Sequence, residues 1–191
     1  MTSIRDDRRE AGGGLLRAFL RNPRGIGAIA PSGAVLAQAM ARGLAPGMKV
    51  LELGGGTGTL TAGILAAGVA GKDLTVLEID AGFAAGLKAR FPAARILGHS
   101  AFELETLPGI ERFDAVVSGL PLVNMTAAQH AALLRGIFAC TSPGGTLRQF
   151  TYRPRCPIAA ATLKAARARA AYEGMALRNL PPAFVYRIER A

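Results

Sequence analysis

The run VLELGGGTGTL at residues 50–60 decides how the rest of the chain is read. It opens as a short apolar strand with a single acid, Glu52, and then places Gly54, Gly56 and Gly58 before a helix-forming stretch. Missing side chains let the backbone pass close to a ligand and make the sharp strand-to-helix turn. The spacing is G-x-G-x-G, and Thr59 stands where a dinucleotide-binding G-x-G-x-x-G would need its last glycine. A second strand, LTVLEID at residues 74–80, ends on Glu78, whose carboxylate suits both hydroxyls of a ribose. Turn and acid together point to a ligand with a nucleoside part.

Outward from this pair the periodicity alternates. Short runs rich in Val, Leu and Ile at 49–53, 74–79, 94–98, 113–118 and 145–151 predict strands. Ala/Leu-rich segments at 58–70, 81–90, 126–140 and 157–173 have helical length. Such alternation predicts an α/β fold, a mostly parallel sheet with helices on both faces. Segments 175–180 and 183–189, joined through Pro181-Pro182, read as a closing hairpin, which gives seven strands and an antiparallel last one. Ser32 is suited to N-cap one more helix ahead of the first strand.

The 191 residues suffice for one domain with a real core, and half of them are hydrophobic, which argues against disorder. The N-terminus lacks the apolar core of a secretory signal. The uncharged stretch 53–71 begins with Gly and Thr and reads as loop and helix, not as a bilayer span. Cys140 and Cys156 have neither metal nor redox spacing, so we read them as reduced thiols and expect no metal.

The net charge is +10, and its placement says more than its size. Residues 1–24 hold six Arg against three acids, residues 25–147 are balanced, and residues 148–191 hold nine basic residues against two acids. Cationic ends around a neutral middle suit a phosphate-bearing partner, either nucleic acid or an anionic lipid surface. Within the first segment Leu15, Leu16 and Phe19 gather on one helical face and Arg17, Arg21 and Arg24 on the other. Gly12-Gly13-Gly14 would cost a helix about 3 kcal/mol relative to three alanines. A segment of this kind is weak alone and is stabilised by the surface it lies on, which suits an anionic bilayer, the alternative being an ordinary helix packed on the folded domain. The division is therefore a membrane-binding segment at 1–24 and a folded domain at 25–191.

The glycine turn with Glu78 resembles the class I S-adenosylmethionine-dependent methyltransferases, a Rossmann-like fold. The resemblance implies cofactor contacts at Glu52, Gly54, Gly56, Gly58, Glu78, Ser100, Ala101 and Ser118, with S-adenosylhomocysteine as product. Ser100 departs from that family, which has an Asp beside the adenine amino group. FLRNPRGIGAIAPSG (19–33), SGLPLVNM (118–125), RQFTYRPRCPI (148–158) and LRNLPPAFVYRIER (177–190) are similar, in that order, to the bacterial phospholipid N-methyltransferases. Those enzymes convert phosphatidylethanolamine to phosphatidylcholine and attach to the membrane through an N-terminal helix. The resemblance implies a monomer working peripherally at the inner face of the cytoplasmic membrane.

An amine substrate with a pKa of about 10 must shed a proton before it attacks a methyl group, and the trimethylated product is a permanent cation suited to aromatic faces. The chain has no Trp, which leaves few candidates. Tyr152 and Ser118 are the catalytic candidates. Phe150, Tyr152 and Tyr186 would surround the amine, and Arg153 and Arg155 would reach the lipid phosphate. The rival reading, an rRNA adenine N6-dimethyltransferase, needs an aromatic ring after Pro121, and Leu122 stands there instead. No further helical segment for RNA follows the last strand. A catalytically silent membrane-binding protein of the same fold is the other alternative.

Overall fold

The computed structural model describes residues 31–191 apart from 108, 178 and 180. Strands β1 (Val50–Leu53), β2 (Leu74–Leu77), β3 (Arg95–Leu97), β4 (Phe113–Ser118), β5 (Thr141–Thr151), β6 (Ala168–Ala176) and β7 (Ala183–Arg190) form one sheet. Their order is β3-β2-β1-β4-β5-β7-β6. Neighbours from β3 through to β5 are parallel, and β7 is antiparallel to both β5 and β6. The α/β fold read from the sequence is therefore the observed one, a Rossmann-like seven-stranded sheet with an antiparallel last strand.

β1 and β2 are buried at every position, as strands covered on both faces must be. One face carries α1 (Pro31–Met40), α2 (Thr59–Ala66) and α3 (Ala81–Arg90), which pack Met40, Ile64 and Leu87 against Val50, Val76 and Val117. The other carries α4 (Ala127–Ala139) and α5 (Ala160–Ala165), whose Leu133, Leu134 and Leu163 meet Leu51, Leu53 and Leu147. Local signals set the helix starts. Asp80 caps α3 by accepting from the Gly82 and Phe83 amides, and Thr126 with Gln129 forms a capping box on α4. α1 is described from Pro31, and the expected capping role of the Ser32 side chain lies outside the described residues.

The segment 157–173, expected as one helix, divides in two. α5 ends at Ala165, Arg167 turns through a left-handed backbone (φ 50°), and β6 starts at Ala168. Alanine favours helix, but pairing along β7 from Ala168–Arg190 to Ala176–Ala183 overrides that preference. The closing hairpin thus starts several residues earlier than 175. It is pinned by ion pairs from Arg148 and Arg187 to Glu173 and from Arg169 and Arg187 to Glu189. Three of the nine basic residues in the cationic C-terminal part thereby share its two acids within the sheet. The proposed membrane segment, with Leu15, Leu16, Arg17, Phe19, Arg21 and Arg24, lies outside the described residues, as does the boundary at 24. No described helix is long and apolar enough to cross a membrane, and the described residues hold no cluster of metal-ligating side chains.

Candidate active site

All the parallel strands end at one edge of the sheet, and the sequence candidates collect there. One register row runs Leu77, Leu53, Ser118, Gln149 and Tyr186 across β2, β1, β4, β5 and β7. Beyond it the chain turns through Gly54, Gly56 and Gly58, all in the left-handed region at φ 76°, 49° and 82°. Added to Gly56, a Cβ would meet nothing within 4 Å, whereas on Gly58 it would lie 2.6 Å from the Phe91 ring. Gly58 therefore serves helix packing, and Gly56 leaves an open cradle.

Two carboxylates flank this turn, and their surroundings differ. Glu78 is almost wholly buried; one oxygen accepts from the Gly56 amide and the other from the Asp80 amide, each at 2.8 Å. It thus fixes the glycine turn from the neighbouring strand. Glu52 is fully buried, with one oxygen accepting from the Thr61 hydroxyl at 2.7 Å and the other without a partner. Burial pushes its carboxyl up to about 8, with the Glu78 charge adding to the rise.

Because Glu52 is easier to protonate in the folded protein, folding takes up a proton between its ordinary value and about 8. Its contribution is then fully present below about pH 4.5 and is lost as pH rises through about 8. Glu52→Gln, which keeps an acceptor for Thr61, is expected to flatten that decline. Urea unfolding followed across this range checks it: an unchanged slope would mean that Glu52 ionises normally.

On β4, Ser118 is fully buried and its hydroxyl accepts from the Leu120 amide at 3.3 Å. On β5, Phe150 and Tyr152 stand edge-to-face with ring centroids 5.6 Å apart, half-buried against the α1–α3 layer. Burial raises the Tyr152 hydroxyl above its ordinary range, opposed by a hydrogen bond with the Asn179 side chain. The structure separates some candidates. Side chains alternate along a strand, so Ser118 and Tyr186 face the α4–α5 layer while Phe150 and Tyr152 face the other. Tyr186 instead packs on Tyr172, with centroids 5.7 Å apart.

Arg153 and Arg155 are exposed just beyond β5, with no acid in ion-pair reach among the described residues. Ser100 caps a short 3-10 turn (Ala101–Glu103) by accepting from the Phe102 amide, and Ala101 is buried beneath it. Leu122 turns inward. It is 1% exposed and packed in the core, while its carbonyl bonds His130 Nε2 at 2.8 Å. It therefore shapes the turn after Pro121 from below and does not line an opening.

Sequence reasoning missed three residues. Thr61 holds Glu52, and its place nine residues after that acid, inside an apolar helix, carries no distinguishing signal. Gln149 is buried at the edge and donates to the Leu120 carbonyl at 3.0 Å, tying β5 to the turn after β4. A lone amide inside the strand run LRQF was the available clue. Asn179, bonded to Tyr152 and to the Pro181 carbonyl, sits between the hairpin strands, where only its turn propensity was visible.

Residues 51–147 match the family model described as a methyltransferase domain. The chain is 31% identical over 147 residues to an ornithine lipid N-methyltransferase of Singulisphaera acidiphila, covering 73% of this chain and 77% of that one. Among solved structures it is similar to a 1,6-didemethyltoxoflavin-N1-methyltransferase of Burkholderia thailandensis, with TM-score 0.66, 19% identity, and 93% and 88% of the two chains covered. It also resembles TrmN from Thermus thermophilus, with TM-score 0.62 and 22% identity over 83% of this chain. It spans 49% of TrmN, about half that protein's length. The glycine turn, the two carboxylates and the sheet order lie within or around the matched region, and the chain belongs to the methyltransferase-domain family.

Proposed function

We propose that this methyltransferase moves methyl groups from S-adenosylmethionine to the amine of phosphatidylethanolamine, and then to its mono- and dimethyl forms, at a membrane surface. The observation that carries the lipid assignment is the similarity to an enzyme named for methylating the nitrogen of an ornithine lipid. Cationic ends on an otherwise neutral chain support it. The same similarity favours a second reading, in which the acceptor is an ornithine-type aminolipid.

The residues fit the donor. Gly56 offers an open cradle, Glu52 has a buried oxygen without a partner, and Glu78 keeps lone pairs beyond its two backbone bonds. Glu52 and the glycine turn would hold the methionine part and Glu78 the ribose, with Ser100 and Ala101 beside the base. When bound, S-adenosylmethionine supplies an electrophilic methyl group. The protein's own task is to present an uncharged amine. Arg153 and Arg155 at the rim favour the neutral form by charge and suit the adjacent phosphate. Phe150 and Tyr152 would offer ring faces to the cationic product, worth about 0.5–2 kcal/mol each.

Tyr152 bears most on the early steps, because only an amine that still carries protons can donate to its hydroxyl oxygen. Tyr152→Phe should slow the first methylation about tenfold, equivalent to one hydrogen bond, and leave the third nearly unchanged. Mass spectrometry of the mono-, di- and trimethyl lipids measures this; an equal loss at all three steps would remove Tyr152 from proton handling. The function is tested by expression in a bacterium that makes phosphatidylethanolamine but no phosphatidylcholine. Methylated phosphatidylethanolamines should appear in the lipid extract. Methylation confined to an ornithine lipid supplied in the same cells would select the second reading.

A further inference from the structure

Exposed large apolar side chains are few among the described residues: Phe102, Val123, Tyr172, Met175 and Leu177. Scattered singly, such residues need no explanation. Their placement in this fold is not scattered. Phe102 lies in the 3-10 turn after β3, Val123 in the 3-10 turn after β4, and Leu177 immediately after β6. β7 is antiparallel to both β5 and β6, so β6 runs in the same direction as β5 and the other parallel strands. All three residues therefore project from the sheet edge that also carries the glycine turn, Ser118 and Tyr152. Met175, 38% exposed, precedes Leu177 by two residues, and Tyr172 pairs with Tyr186 and so extends the register row of Ser118 and Gln149 to the last strand.

The spacing is regular as well. β3, β4 and β6 are the first, fourth and seventh strands of the sheet, so the three tips rise from strands about 14 Å apart in sequence across it. Val123 is half exposed and Leu177 two-thirds exposed, although each neighbours a well-packed residue, Leu122 or Ala176. Arg153 and Arg155 project from β5, between the second and third tips, without acidic partners among the described residues. Apolar tips on both sides of unpaired cations match one kind of surface, an anionic bilayer, in which short apolar side chains enter the interface and arginines meet phosphates.

We infer that the catalytic edge is itself a membrane-docking surface, with Phe102, Val123 and Leu177 inserted in the lipid interface and Arg153 and Arg155 on its phosphates. This inference rests on the lipid reading of the site. It adds that the site opens directly onto the bilayer, so an amine headgroup is reached while its acyl chains remain in the membrane. Docking by this rim is separate from any contribution of residues 1–24.

The absence of Trp provides a direct test. Val123→Trp in the full chain gives one fluorophore at the central tip, and Lys72→Trp gives one at the opposite sheet edge, in the exposed turn before β2. Each variant is mixed with vesicles of phosphatidylglycerol and phosphatidylcholine, which contain no methylatable amine, so the result speaks to docking and not to substrate. Val123→Trp emission is expected to move to shorter wavelength and to be quenched by brominated acyl chains, while Lys72→Trp emission stays unchanged. In sedimentation, the triple variant Phe102→Ser, Val123→Ser, Leu177→Ser should bind about thirtyfold more weakly, and its melting curve should match the parent. Val123→Trp emission that stays unshifted while the protein sediments with vesicles would overturn the inference. So would no binding to vesicles at all, or a shift given by RNA and not by vesicles. Methylation of a detergent-dispersed aminolipid by the triple variant would separate failure of docking from failure of the proposed chemistry.

Discussion

Replacing Glu78 by alanine is expected to weaken donor binding at least about a hundredfold and to lower the melting temperature by roughly 6–12 °C. The two effects share one cause. The carboxylate takes the Gly56 amide on one oxygen and the Asp80 amide on the other, so it joins the glycine turn to the start of α3. Hydrogen bonds to a charged acceptor contribute about 1.5–3 kcal/mol each. Losing both, with partial rescue by water, leaves a deficit of about 3 kcal/mol, and each kcal/mol moves a domain of this size by about 2–4 °C. Loss of the ribose contacts should weaken the donor about a hundredfold beyond that. Glu78→Gln keeps one acceptor oxygen and should fall between. Thermal melting and calorimetric titration with S-adenosylhomocysteine measure the two effects separately. A melting point lowered as stated with unchanged affinity would leave Glu78 a purely structural residue.

The second large effect is a contrast between two glycines two residues apart, Gly56 and Gly58. Alanine at position 58 must adopt a left-handed backbone and push the Phe91 ring and Leu87 aside. The backbone alone costs about 1–2 kcal/mol, and with the steric clash the total reaches about 3 kcal/mol. At position 56 the backbone cost is similar, but no atom stands in the way. Gly56→Ala should therefore lose only about 1 kcal/mol of stability. Its methyl group would enter the open cradle, and donor affinity should fall tenfold or more. Gly58→Ala should show the opposite order, a large stability loss and a smaller change in affinity once folded. Urea unfolding and donor titration on both variants give the four values needed. If Gly56→Ala binds the donor as the parent does, the cradle is not where the donor lies.

What the sequence revealed follows from which interactions are local. Strand ends, the glycine turn and Glu78 are written in a short stretch each, and the mostly parallel sheet follows from strand–helix alternation. β6 was hidden because its alanines carry helix propensity, and only pairing with β7 makes them a strand. The exposure of a single side chain was equally hidden. Leu122 turned inward and Val123 outward, although both look alike in SGLPLVNM. Tyr186 was grouped with Tyr152 by chemistry, but the register of β7 against β5 puts it in the row of Ser118, on the other face. Thr61, Gln149 and Asn179 owe their roles to partners distant in the chain or across a turn, which no motif records.

The most direct measurement is methyl transfer by the purified chain. S-adenosylmethionine labelled in its methyl group is offered separately with phosphatidylethanolamine vesicles, ornithine-lipid vesicles and total RNA, and the label is counted in each acceptor. Label should enter phosphatidylethanolamine and be found as its mono-, di- and trimethyl forms. Label in RNA with none in either lipid would contradict the assignment.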